Sequence, residues 1–291
     1  MMKNLKFTLV GVGKVGSAFL CELSDVGIKP LFIIDREFQN KVRFRKLFKL
    51  TKFDSSITQQ YIDSSDFILI SVQDKEIIPL LRQWRKEGLN FNGKVLMHTS
   101  GLLTSEIFEV IRVENTNCGS IHPVQTFNHI CTRNESLLKG IYFGLEGGKN
   151  FLNFAKEIIK KLHSKFIILQ RKDKILYHTA CSIASNFVVT NLSIANMVLS
   201  KCVQFNSLKV LSPIISQTIK NVLKAGPEDS LTGPVARGDI NTVKKQIKEI
   251  RKRLPELKSF FNELILQTAY IAERSHKISK DELQEFKSLL R

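Results

Sequence analysis

The chain has 291 residues, of which 43% are hydrophobic and 24% charged. That is enough apolar mass for about two packed domains, and it excludes a disordered chain. A net charge of +17 favours anionic partners such as nucleic acid, phosphorylated ligands or acidic membrane faces, unless it is a composition bias spread over solvated helix faces. The five cysteines, Cys21, Cys118, Cys131, Cys181 and Cys202, form no C-x-x-C pair, which argues against a disulfide framework or zinc knuckle and suits a reduced cytoplasm.

Residues 1–10 pair two lysines with an apolar run that is too short for a secretory signal and is interrupted by Gly11 and Gly13. Short apolar runs then alternate with helical patterns. Strands are expected at 6–10, 31–35, 67–72, 94–98, 118–121, 141–146 and 166–169. Helical patterns are expected at 15–26, 38–48, 75–86, 105–111 and 151–162. Such alternation predicts an α/β domain with a doubly wound parallel sheet, a Rossmann domain over residues 1–171. From 172 to 291 the patterns are helical: 173–202, 207–224, 240–252, 255–275 and 280–290, punctuated by Gly226-Pro227 and Gly233-Pro234. Residues 180–199 are the most membrane-like stretch. Ser182, Ser185, Asn186, Asn191, Ser193 and Asn196 interrupt them, which predicts a buried helix of a soluble protein instead of a membrane span.

Gly11-Val12-Gly13-Lys14-Val15-Gly16 follows the first strand and opens the first helix. Gly11 permits the tight turn, Gly13 lets a pyrophosphate approach the backbone, and Gly16 lets helix and strand pack closely. The helix N-terminus offers free N–H groups to phosphate. Asp35, nineteen positions after Gly16, stands where a ribose-binding acid is expected. Its carboxylate favours NAD over NADP, whereas the neighbouring Arg36 can hold a 2′-phosphate. Ser71-Val72-Gln73-Asp74 and His98-Thr99-Ser100-Gly101 end the next two strands, where doubly wound sheets bind ligands. Either turn also suits simple helix capping.

On an apolar helix, His178, Ser182, Ser185 and Asn186 recur at i, i+4, i+7 and i+8. That spacing places them on one face, as a pocket wall or as a buried hydrogen-bond set. Histidine exchanges a proton near neutral pH, as hydride transfer to a carbonyl or imine requires. His122 precedes Pro123 and is either a second proton donor or a structural cap. Arg237, in the Gly/Pro-rich loop with Thr232, suits anion binding, and Asp239 suits an N-cap. The histidines lack metal-ligand spacing, so no metal is expected.

Gly119-Ser120-Ile121-His122-Pro123-Val124-Gln125-Thr126-Phe127, Tyr177-His178 with Asn186, and Leu231-Thr232-Gly233-Pro234-Val235-Ala236-Arg237-Gly238-Asp239, taken with the glycine fingerprint, resemble the Rossmann-like proteins that carry the domain of unknown function 2520. The resemblance implies an all-helical second domain of the 6-phosphogluconate-dehydrogenase type that often dimerises through its helices. It also implies a layout shared with pyrroline-5-carboxylate reductases, β-hydroxyacid dehydrogenases and deazaflavin-dependent NADP oxidoreductases. Two departures stand out. The usual Val-Pro-Asp reads Val72-Gln73-Asp74, and Ser182 occupies the place of the catalytic lysine of better-known relatives.

The expected function is therefore an NAD(P)-dependent oxidoreductase acting on a small anionic molecule. His178, His122 and Asn186 are the candidate catalytic residues, and Arg237, Thr232, Ser182, Thr99 and Ser100 the candidate substrate contacts. The remaining motif residues, through His98, go to the cofactor. The alternative is a silent NAD(P)-binding sensor or assembly protein. A homodimer through the helical domain is expected, with no membrane partner. No nucleic-acid partner is expected either, because the basic stretches 41–49 and 244–253 read as ordinary amphipathic helices.

Overall fold

A computed structural model describes residues 5–49, 51–112, 117–132, 135–203 and 207–290. The signal-like reading of residues 1–4 falls outside these. The chain divides into two compact units, one running to Phe187 and the other from Val188. The first extends past the composition change near 171 because Lys174, Tyr177 and His178 pack onto it.

The first unit opens with β1 (Lys6–Val10), α1 (Lys14–Asp25), β2 (Lys29–Ile34), α2 (Phe38–Leu47), β3 (Lys52–Asp54), α3 (Gln59–Ser64), β4 (Phe67–Ile70), α4 (Asp74–Lys86) and β5 (Val95–His98). A 3-10 helix at Ser105–Ile111 leads to β6 (Cys118–Pro123), β7 (Tyr142–Gly147), α5 (Lys149–Lys161), β8 (Lys165–Ile168) and α6 (Lys174–Ala184). The eight strands lie in the order β3-β2-β1-β4-β5-β6-β7-β8, a Rossmann arrangement extended at one edge.

The sheet is parallel as expected except at one pairing. β7 runs antiparallel to β6, with His122 opposite Gly144. No α-helix occurs among the described residues between them, and without a crossover the chain returns in the opposite direction. The register also slips between Phe7 and Thr8 of β1, opposite Pro30, which has no N–H for the ladder.

Both sheet faces are covered, so strands bury side chains in both directions. Phe67 and Leu69 of β4 join Phe7, Leu9, Phe19 and Phe151 on one face. Ile68 and Ile70 join Leu81, Trp84 and Phe108 on the other. This rigid double layer aims the carboxyl ends of β1, β4, β5 and β6 at one edge.

The second unit is helical: α7 (Asn186–Ser200) crosses the boundary, followed by α8 (Ser207–Ser230), α9 (Ile240–Arg253), α10 (Lys258–Arg274) and α11 (Lys280–Leu290). Its core joins Val243 and Ile247 of α9, Ile265 and Ala269 of α10, and Leu283 and Phe286 of α11. Gly226, at φ 83, breaks α8 just before Pro227. Asp239 caps α9 by accepting from the Thr242 N–H at 3.0 Å.

Two expectations about residues 173–202 are corrected. The helix is interrupted at Ser185 (φ −125, ψ −73), which breaks the continuous polar stripe from His178 to Asn186. Nor is it buried within its own chain. The stretch Arg171–Ser200 is long and apolar enough to cross a membrane, and none of its most apolar window is buried.

Candidate functional site

The fingerprint loop takes the shape that its glycines permit. Gly11 sits at φ +87, where an L side chain is strained, and a Cβ there would approach the Ser71 carbonyl to 2.8 Å. A Cβ on Gly16 would run into the Gly11 carbonyl oxygen. At Gly13 a Cβ would meet nothing within 4 Å. The loop is thus packed from behind and open in front. The N–H groups of the first turn of α1 face that opening with the positive end of the helix dipole.

Asp35 works from beneath the loop. Its Oδ2 accepts from the Val12 N–H and its Oδ1 from the Glu37 N–H, each at 2.8 Å. Val12 is itself fully buried in the core, so it and Gly16 shape the loop from behind instead of lining the groove.

Two adjoining hollows meet at this loop, sharing Gly13, Lys14, Ser71, Val72 and Gln73. One, of about 630 Å³, is walled by Asp35, Arg36, Ser55, Pro79 and Trp84. The other, of about 510 Å³, is walled by Val15, Asp74, Thr99, Ser100, Gly101, His122 and His178. An elongated groove with a phosphate-binding saddle between two chambers suits a dinucleotide.

The second chamber is tightly organised. Ser100 donates to Asp74 Oδ2 at 2.7 Å and accepts from the N–H groups of Leu102 and Leu103. Thr99 donates to Ser71 at 3.3 Å. His122 Nδ1 lies 2.7 Å from the Tyr177 hydroxyl, and the His122 and His178 rings meet edge to face at 6.1 Å. Gly101 is required here, since a Cβ would press within 2.5 Å of the His178 ring and 2.9 Å of His122 Nε2. Burial, with the nearby Lys174 and His178, pushes the His122 pKa down to about 4. Burial raises the Tyr177 pKa above its ordinary value, so the hydroxyl keeps its proton and shares a hydrogen bond with His122 Nδ1, with the imidazole tautomer setting which of the two donates. The other ring nitrogen of neutral His122, Nε2, faces the Gly101 wall.

The other sequence candidates fall elsewhere. His98 is fully buried. Its Nδ1 accepts from the Ser100 N–H and its ring packs against Phe108, so it props the turn from below and does not line the groove. Asn186 opens α7 as an exposed residue and Ser182 is half-buried. Neither lines either chamber, and for Asn186 the break at Ser185 ends the helical register that would have continued the His178 face. In the second unit Thr232 and Arg237 are exposed. The sequence reading missed Tyr177 and Lys174. Tyr177 carried a signal, lying beside His178 in a recognisable motif. Lys174 carried none, since a lysine at a helix start reads as surface.

Residues 141–268 match the family model described as Domain of unknown function (DUF2520). The chain resembles the DUF2520 proteins with an N-terminal Rossmann domain. No curated protein matches it. Among solved structures, protein TM1727 from Thermotoga maritima is 26% identical, with 93% of this chain and 99% of that one covered at a TM-score of 0.72. BF3122 from Bacteroides fragilis, described as a candidate NADP oxidoreductase, is 19% identical over 92% and 98% at 0.73. The Plasmodium falciparum pyrroline carboxylate reductase, solved with NADP bound, is 15% identical over 100% of each chain at 0.59. These likenesses show a Rossmann fold followed by a helical domain.

Proposed function

We propose that the protein is an NAD(P)-dependent oxidoreductase. The observation that carries this reading is the saddle at Gly13, open in front and framed by α1 N–H groups, with a sugar-binding chamber on one side and two histidines on the other. Structural neighbours that are NADP- or NAD-linked oxidoreductases support it. When bound, the nicotinamide supplies or accepts the hydride. The chain supplies the rest. The neutral His122 orients the carbonyl or imine by a hydrogen bond, and His178 is assigned as the general acid that delivers the proton accompanying the hydride and is reprotonated from solvent. Thr99 is assigned to orienting the substrate, while Ser100, whose hydroxyl is already engaged with Asp74, Leu102 and Leu103, shapes the chamber wall.

Spectrophotometric turnover of NADH and NADPH against small oxo acids and cyclic imines tests the reading. Substrate-dependent oxidation supports it. Tight binding with no turnover across the panel would instead favour a silent sensor, the reading that Ser182, standing where relatives carry a catalytic lysine, supports.

Asp35 lines the sugar chamber and leans the preference toward NAD. Asp35→Asn removes the charge and keeps an oxygen for one of the two backbone donors, so NADP affinity is expected to rise relative to NAD. A wild-type preference for NADP of tenfold, about 1.4 kcal/mol, would show that Arg36 decides the matter.

We further propose a homodimer. Leu176 is 74% exposed, Val189 69% and Leu223 82%, and α7 buries no residue of its own. Faces this apolar are covered in a stable soluble protein, and a second copy offers a matching one. Light scattering at micromolar concentration is expected to give a dimer, and Val189→Asp with Leu223→Asp a monomer. A wild-type monomer under those conditions, or partition into liposomes, would reject this assembly.

A further inference from the structure

Lys174 is fully buried although lysine is almost never so without a specific reason. Its ammonium donates to the Ser100 carbonyl at 3.0 Å and to the Ser120 hydroxyl at 2.5 Å. Ser120 donates in turn to the same Ser100 carbonyl at 2.9 Å. Two donors therefore converge on one backbone oxygen, in the turn whose Ser100 and Gly101 wall the histidine chamber. The arrangement joins three elements at a point: α6 through Lys174, β6 through Ser120, and the turn after β5 through Ser100. Burying a cation costs several kcal/mol. An apolar side chain would fill the same space without that cost, so packing alone does not account for a lysine.

We propose that Lys174 is a positioning residue of the site: its buried ammonium pins the Ser100–Gly101 wall against His122 and His178, and its charge disfavours a second cation at the adjoining His122. This deepens the oxidoreductase reading of the groove and rests on it.

The charge has a defined setting. Around Lys174 lie Asp74 from α4, Glu146 from β7, and the imidazoles of His98 from β5 and His122 from β6. The two carboxylates favour the ammonium, and burial opposes it more strongly, leaving its pKa near 8. At neutral pH Lys174 is therefore charged. Around His122 lie Tyr177 and His178 from α6, Lys174 from the same helix, and His98. No carboxylate contributes to the His122 shift, so Lys174 acts on the imidazolium without local opposition. A neutral His122 keeps one ring nitrogen as a donor and the other as an acceptor at physiological pH and does not become a second cation beside an already cationic lysine.

The test is an NMR titration of the histidine ring signals in the full-length, nucleotide-free protein, with His122 assigned by its loss in His122→Gln. In Lys174→Met the His122 midpoint is expected to move up by about one unit, the size of shift that one nearby charge imposes. It should still stay below the ordinary histidine value, because burial persists. Ser120→Ala removes two hydrogen bonds, the one from the ammonium and the one to the Ser100 carbonyl, and leaves the ammonium in place, so its His122 midpoint should match wild type. If Lys174→Met does not fold, Lys174→Gln, which retains a donor and removes the charge, makes the same comparison. An unmoved His122 midpoint in the lysine variant overturns the proposal, as does an equal movement in Ser120→Ala, which would trace the shift to disturbed packing. None of these readouts uses a cofactor. Failure of NADH to bind the wild type would count against the oxidoreductase reading and leave the titration intact, whereas an unmoved midpoint with normal NADH binding would count against Lys174 alone.

Discussion

Gly13→Val is expected to weaken dinucleotide binding by at least about 100-fold, near 2.7 kcal/mol, while leaving the protein folded. The Gly13 backbone sits at φ −71, ψ −158, which any residue adopts, and a Cβ there meets nothing within 4 Å. The valine therefore harms no packing and projects into the space a pyrophosphate needs. Gly16→Ala should do the reverse. Its Cβ would collide with the Gly11 carbonyl oxygen, and overpacking of this kind costs about 1–3 kcal/mol of stability. Calorimetric titration with NADH and urea denaturation of both variants check the pair. Unchanged affinity in a folded Gly13→Val protein would contradict the assignment of the loop.

Acid should destabilise this protein well before its carboxylates protonate. Burial, more than any neighbouring charge, holds His98 at a pKa of about 3 and His122 at about 4. In the unfolded chain both take up protons as pH falls through about 6.5. The native state does not follow until pH 4 or below, so over that window the unfolded state binds more protons and stability falls with pH. Each histidine contributes about 2 kcal/mol of loss by pH 5 at 1.36 kcal/mol per pH unit. Urea midpoints at pH 7 and pH 5 measure the effect, and His122→Gln should recover its share. A midpoint that is flat between these values would show that the imidazoles are not held neutral by the fold.

The glycine loop was legible in the sequence because it combines backbone demands that only glycine meets with a fixed strand-to-helix setting. Gly11 and Gly16 meet just those demands. The run of parallel strands was legible for a similar reason: Phe67, Ile68, Leu69 and Ile70 form an unbroken apolar stretch that is buried on both faces. The edge strand Lys52–Asp54 was not, since it is three residues long with one apolar side chain. Nor was the direction of β7, which follows from the absence of a crossover helix among the described residues before it and not from any residue in the strand. The break at Ser185 lacks the Gly or Pro that usually announces one.

The site divides along the same line. His122 and His178 could be nominated from local context, and the structure brings their rings together. His98 stands one residue before a groove-lining threonine, and no pattern in the sequence tells which way its ring turns. Lys174 is invisible locally because its partners are 74 and 54 residues away in sequence. Long-range convergence of this sort is set by strand order, which periodicity does not encode.

The central claim is that the histidine chamber receives the nicotinamide of a dinucleotide seated on the Gly13 saddle. A crystal structure with NADH tests it most directly. The expected result places the pyrophosphate on the N–H groups of the first turn of α1, the adenosine ribose beside Asp35, and the nicotinamide ring against Gly101 with His122 and His178 within reach of its reacting face. A dinucleotide whose nicotinamide turns away from both histidines, or a groove left empty at saturating NADH and NADPH, would contradict it.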